Sequence, residues 1–143
     1  MEEQKLTFFF EDTPELDLSV DKYLSWLAPI ITNHEHYLTT LNYIFCSDEY
    51  LLEINKEYLE HDYYTDIITF DNSDEEGVIE GDIFVSIDRV KENATTNKVP
   101  FNTELNRVIA HGLLHLLGFG DKSKEEEIEM RKNEDACLSL WQN

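Results

Sequence analysis

The chain reads as α+β: a small mixed β-sheet of about four strands with helices flanking it. Three observations predict this. Apolar residues recur with a period of two in some segments and at helical spacing in others, and the two kinds interleave. The 143 residues, 41% hydrophobic and 12% aromatic, are enough for one core. No repeat, low-complexity stretch or linker divides them, so residues 1–143 are expected to form one domain.

Residues 5–10 are a short apolar run with β character, stopped by the Asp12-Thr13-Pro14 turn. Over residues 20–31 the apolar positions (Val20, Tyr23, Leu24, Leu27, Ile30, Ile31) fall at helical spacing, with Ser19 as N-cap and Pro29 weakening the last turn. Leu41, Tyr43 and Phe45 alternate with Asn42, Ile44 and Cys46, as in a strand buried on at least one side. Ser47 opens a helix that runs to about Tyr58, with Asp48 and Glu49 in its first turn, where negative charge suits the helix dipole. Residues 66–70 and 78–87 form two strands joined by an acidic loop containing Gly77. Residues 88–97 are helical, and Pro100 closes the connection. The next helix, capped by Thr103 with Asn106 leaving its capping box incomplete, carries Leu105, Val108, Ile109, Leu113, Leu116 and Leu117. With few positions left to expose, it should be central. Ser123 starts the last helix, whose apolar positions include Ile128, Ala136, Leu138 and Leu140.

The N-terminal Met1-Glu2-Glu3-Gln4 has neither a basic region nor a signal-like apolar run, and no stretch nears the roughly 18 apolar residues a bilayer span needs. Cys46 and Cys137, one in a strand and one in a helix, read as small core residues rather than a disulfide. A reduced, cytoplasmic setting follows. The net charge of −20 runs against a generic nucleic-acid binder, which should be basic. Much of that charge lies in residues 71–80 and 125–135, which read as a loop and a solvated helix face.

The most informative segment is residues 108–121. His111 and His115 project from one helix face a turn apart, where two imidazoles can grip one cation. Gly118 ends the helix, and the turn brings Asp121 back towards the same point. Two nitrogens and one oxygen leave a coordination position open to water, which suits a catalytic metal. By spacing alone Asp121 reads equally as a solvated turn residue, and His61 is its rival as third ligand. Gly112 stands where the zinc-protease motif H-E-x-x-H has its general base, so that chemistry is disfavoured.

The run from His111 to Asp121 resembles the H-G-x-L-H-L-x-G-Y-D-H motif of the YbeY family, bacterial endoribonucleases in which three histidines bind the metal. Here the third histidine's place holds Asp121. Asn55-Lys56-Glu57-Tyr58 followed by Thr65-Asp66-Ile67-Ile68-Thr69-Phe70 is similar to the family's N-x-x-Y-R and T-D-V-L-S-F, and Gly81-Asp82-Ile83 to its G-D-I strand. The resemblance implies a zincin-like metal-bearing helix, with one zinc ion on His111, His115 and Asp121, the two histidines being catalytic. It also implies a single-strand-specific, metal-dependent endoribonuclease that matures ribosomal RNA in the cytoplasm. Its partners would be ribosomal RNA and the small ribosomal subunit, with no DNA and no membrane.

Two departures bear on that expectation. Leu59 sits where the family has an arginine, the natural clamp for phosphate; Arg107 and Arg89 are the substitutes the sequence offers. A carboxylate at position 121 makes the metal a weaker Lewis acid than a third imidazole would. Together with the acidic charge, these keep two other functions open: a non-catalytic, metal-stabilised ribosome-assembly factor, or a metal-dependent hydrolase of another substrate. The charge argues against tight binding of free RNA and is compatible with RNA held on a ribosome. Other residues have two readings each. Asp66 orients a ligand histidine or forms the turn before its strand, and Asp82 faces substrate or a turn. Tyr63 and Tyr64 stack bases or pack, with packing the commoner role. His34 and His36 are expected at the surface.

Overall fold

A computed structural model describes residues 4–141. Residues 1–3, part of the stretch read above as free of a signal-like run, and residues 142–143 lie outside the described residues. The elements follow in the order β1 (Lys5–Glu11), α1 (Val20–Asn33), β2 (Tyr37–Cys46), α2 (Asp48–Leu59), β3 (Ile67–Asp71), β4 (Val78–Ser86), α3 (Ile87–Asn97), α4 (Phe101–Leu116) and α5 (Lys124–Ser139). The strands form one four-stranded mixed sheet, as the sequence predicts; their order is β1-β2-β4-β3, with β1, β2 and β4 parallel and β3 antiparallel to β4 at an edge.

Alternation along each strand divides its side chains between two faces. Leu41, Tyr43, Phe45, Ile83 and Val85 meet residues of α1, α3, α4 and α5 in the main core. Cys46, Ile68 and the part-buried Phe70 and Phe84 meet Leu51 of α2 in a smaller one. Burial pushes the Cys46 and Cys137 thiols up to about 12 and about 11, which keeps both inert.

α4 lies across the main-core face and is mostly buried, as its apolar sequence requires. A Cβ at Gly112 would come within 2.9 Å of Ile83 Cγ2 and 3.0 Å of Ile67 Cδ1, so glycine is what lets α4 sit this close to β3 and β4. The buried Tyr43 hydroxyl donates to the Ile109 carbonyl at 2.8 Å, and the Tyr23 hydroxyl donates to Asn106 Oδ1 at 2.6 Å. These bonds fix the helix both along its axis and about it.

Three local expectations need correction. α1 continues through Pro29 to Asn33. The hydrogen bond Pro29 forfeits is to Ser25, and both are exposed, so water can satisfy that carbonyl while buried Ile30 and Ile31 hold the last turn. α4 begins at Phe101 with Pro100 as N-cap, and Thr103, expected to be the cap, lies inside the first turn with its N–H on the Pro100 carbonyl. Phe101 packs against the main core, which draws the helix start earlier. On α5 the inward stripe is Met130, Glu134 and Cys137; Ile128, Ala136 and Leu140 are exposed. The acidic run 125–135 is therefore not solvated throughout, because Glu134 has a partner to face.

Candidate metal centre

The last turns of α4 present His111 and His115 to the same side. Gly118, at φ +105°, takes the left-handed conformation that closes the helix. Phe119 N–H donates to the Leu114 carbonyl and Gly118 N–H to the His115 carbonyl, each at 3.0 Å. The chain reverses there. On the far side of the reversal Ser123 caps α5 in a full capping box, and Glu126 Oε1 accepts from the N–H groups of Lys122 and Ser123 at 3.1 Å. Asp121 is thus suspended between two helix ends that are each hydrogen-bonded. Gly120 keeps an ordinary negative-φ backbone and is small for another reason: a Cβ there would press on Glu126 Oε2 at 2.6 Å.

The three side chains meet. Nε2 of His111 and Nε2 of His115 are 3.0 Å apart, and Asp121 Oδ2 is 3.3 Å from the first and 3.4 Å from the second. A tetrahedral zinc with bonds of about 2.0–2.1 Å spaces its donor atoms roughly 3.3 Å apart, so the donor triangle fits such an ion. The side chains remain 20%, 27% and 39% exposed, which leaves one side of the triangle open to solvent.

Glu134, buried on α5, completes the arrangement and was missed from the sequence. Its Oε2 lies 2.7 Å from His111 Nδ1, and its Oε1 accepts from Arg107 Nη1 at 3.1 Å. A carboxylate only accepts, so His111 donates Nδ1–H, and in the neutral ring this leaves the Nε2 lone pair for the triangle. Burial alone would depress the His111 pKa, but the hydrogen bond and charge of Glu134, then Asp121 and Asp66, raise it above its ordinary value. Burial likewise opposes ionisation of Glu134, but hydrogen bonds from His111 and Arg107 prevail and hold its pKa low. The sequence signal was the stripe Met130, Glu134, Cys137 at i, i+4, i+7, legible only once a polar residue is allowed on an inward face.

The triangle lies in an open cleft of about 600 Å³ along the β3 edge of the sheet. α4 forms one side; Asn55 and Leu59 of α2, with His61, Tyr63, Thr65 and Asp66 of the following loop, line the other. His61 lines the cleft, but among the described residues the donor atoms that lie within 4.8 Å of one another are those of His111, His115 and Asp121. Leu59 does face the cleft, and neither proposed substitute arginine lines it. Arg89 is engaged with Asp48 and lies under Tyr64, while Arg107 is engaged with Glu134 and Asp135. Asp66 lines the cleft and its carbonyl accepts from Ser86 N–H, leaving Glu134 to orient His111. Asp82 accepts from Asn42 and Asn72 and braces the sheet. Tyr63 and Tyr64 are both exposed, Tyr63 stacked on His61 and Tyr64 against the Arg89 guanidinium. His34 is part-buried, its ring edge-on to Phe119 at 5.6 Å.

A family model described as Endoribonuclease YbeY matches residues 9–142. A protein of Cytophaga hutchinsonii named Endoribonuclease YbeY is 54% identical over 140 residues, covering 98% of each chain. A protein of the same name from Christiangramia forsetii is 43% identical over 141 residues, covering 99% of this chain and 97% of the relative. The solution structure of TM1509 from Thermotoga maritima superposes with a TM-score of 0.60 at 28% identity, over 94% of this chain and 91% of that one.

Proposed function

Because the chain belongs to the endoribonuclease YbeY family, we propose that it cuts ribosomal RNA with a zinc ion held by His111, His115 and Asp121. It is an endoribonuclease. The observation that carries the assignment is the donor triangle of 3.0–3.4 Å edges, half open, with the outer nitrogen of His111 fixed by Glu134. Two imidazoles and a carboxylate are a ligand set typical of catalytic zinc. When bound, the ion supplies an electrophile that activates water and offsets charge at the phosphodiester.

The chain's own residues do the rest. Glu134 holds the His111 ring in one tautomer and one orientation, and Arg107 holds Glu134. The solvent-facing side of the triangle admits the scissile phosphate along the β3 edge. Among the described residues lining the cleft, Lys122 is the only lysine or arginine, and the whole chain carries a charge of −20. This supports RNA presented by the small ribosomal subunit over capture of free strands. Among the described residues no helix is long and apolar enough to cross a membrane, which is compatible with work in the cytoplasm. Residues 1–143 are proposed to act as one domain.

The test is joint. Purified protein should contain zinc near one equivalent and cleave single-stranded RNA. Chelation and His111→Ala should each remove the metal and lower cleavage about a thousandfold. Full activity in His111→Ala would reject the assignment.

A further inference from the structure

We propose that His61 and Tyr63 form a stacking platform for an unpaired base of the RNA whose phosphate lies at the metal group; this rests on the endoribonuclease reading above. The two rings stack on each other with centroids 5.1 Å apart and planes 20° from parallel, and the Tyr63 hydroxyl lies 3.0 Å from His61 Nδ1. A stack of two rings leaves an outer face on each. Tyr63 is 56% exposed, and with His61 and the exposed Leu59 it lines the cleft that holds His111, His115 and Asp121. A cluster of large exposed side chains of this kind is informative where a single one is not.

The platform is held in place. Glu60 caps α2 in the left-handed conformation, and His61 N–H donates to the Asn55 carbonyl at 3.1 Å. The Asn55 side chain, buried on α2, donates Nδ2–H to the Tyr63 carbonyl at 2.9 Å. A buried amide and its own carbonyl thus both brace a surface loop, which pre-sets the ring positions before any ligand arrives.

Charge points to a base rather than a phosphate as the anchor. Asp66, Asp71 and Asp121 line the cleft against the single Lys122. Stacking on aromatic rings is uncharged and indifferent to base identity, so it works where phosphate capture does not. Bases inside a duplex already have both faces covered by their neighbours. The platform therefore selects unpaired strands.

The experiment titrates the full chain, with chelator present so that nothing is cut, into a short single-stranded RNA carrying the fluorescent base aminopurine. The parent and Tyr63→Phe should bind it and quench its fluorescence. Tyr63→Ala should bind about tenfold more weakly and quench little. The same label in a duplex should not be quenched. Equal binding and quenching by parent and Tyr63→Ala would overturn the platform, as would a parent that never quenches. Cleavage of unlabelled strands with added zinc, measured in parallel, separates the two ideas. A parent that quenches but does not cut upholds the platform and defeats the function proposed above. A parent that cuts, with Tyr63→Ala unchanged in KM and no quenching, defeats the platform alone.

Discussion

The two sides of the cleft are built by opposite rules. On the α4 side, two of the three proposed ligands, His111 and His115, sit on a mostly buried helix, and His111 is held by Glu134, which is held in turn by Arg107. On the α2 side, a loop anchored by Asn55 turns Leu59, His61 and Tyr63 out towards water. Gripping an ion demands atoms fixed to a few tenths of an ångström, which packing and buried hydrogen bonds supply. Receiving a strand demands accessible surface, which the same packing would remove. Neighbouring walls of one cleft thus divide rigidity and exposure between them.

Disturbing the fixed side should have the larger consequences. Glu134→Gln keeps the shape but replaces the carboxylate that orients His111 with a neutral amide, and zinc affinity should fall about 10–100-fold in a competitive chelator titration. Unchanged affinity would mean that helix packing alone positions the imidazole. Gly112→Ala forces a methyl against Ile83 and Ile67 and should lower stability by about 1–3 kcal/mol in urea unfolding, without removing any ligand. A neutral result would show that α4 can lift off the sheet at no cost.

Acidity should act on the same pair in the metal-free protein. The raised His111 pKa gives stability that is complete below the ordinary imidazole value of 6.5 and fades as pH rises through the folded value. The lowered Glu134 pKa gives stability that is complete above the ordinary carboxylate value of 4.5 and fades as pH falls through its folded value. The pair therefore stabilises most between those two values, and thermal midpoints should decline on both sides, with a flatter profile in Glu134→Gln. On the exposed side the expected effect is smallest. Leu59→Arg should leave stability within about 0.5 kcal/mol, while the log–log salt dependence of single-stranded RNA binding steepens by about 0.7. No change in salt slope would place position 59 away from the bound strand.

Local chemistry makes most of the fold legible in the sequence alone. Ser19, Ser47 and Ser123 announce their helices as caps, and each accepts the expected backbone N–H. The alternation of Leu41, Tyr43 and Phe45 with Asn42, Ile44 and Cys46 gives β2 its two faces. His111 and His115 were legible because both lie on one helix, where spacing alone sets direction. Asp121 was ambiguous because a turn residue's direction depends on how the turn closes, and the hydrogen bonds around Gly118 and Ser123 decide that. Glu134 was illegible for a different reason: its partners His111 and Arg107 lie 23 and 27 residues away. A carboxylate inside an acidic run looks solvated until the fold brings those hydrogen-bond donors to it.

The joint between α4 and α5 carries a consequence for how the molecule breathes. Asp121 belongs to that joint, His111 to the helix before it, and Glu134, hydrogen-bonded to His111, to the helix after it. An ion seated here would rivet the last third of the chain into one cooperative unit, so that fraying of the C-terminal helix and loss of the ion become a single event. Amide exchange across residues 117–123 would then slow on loading with zinc, in step with the amides of α5 several turns away.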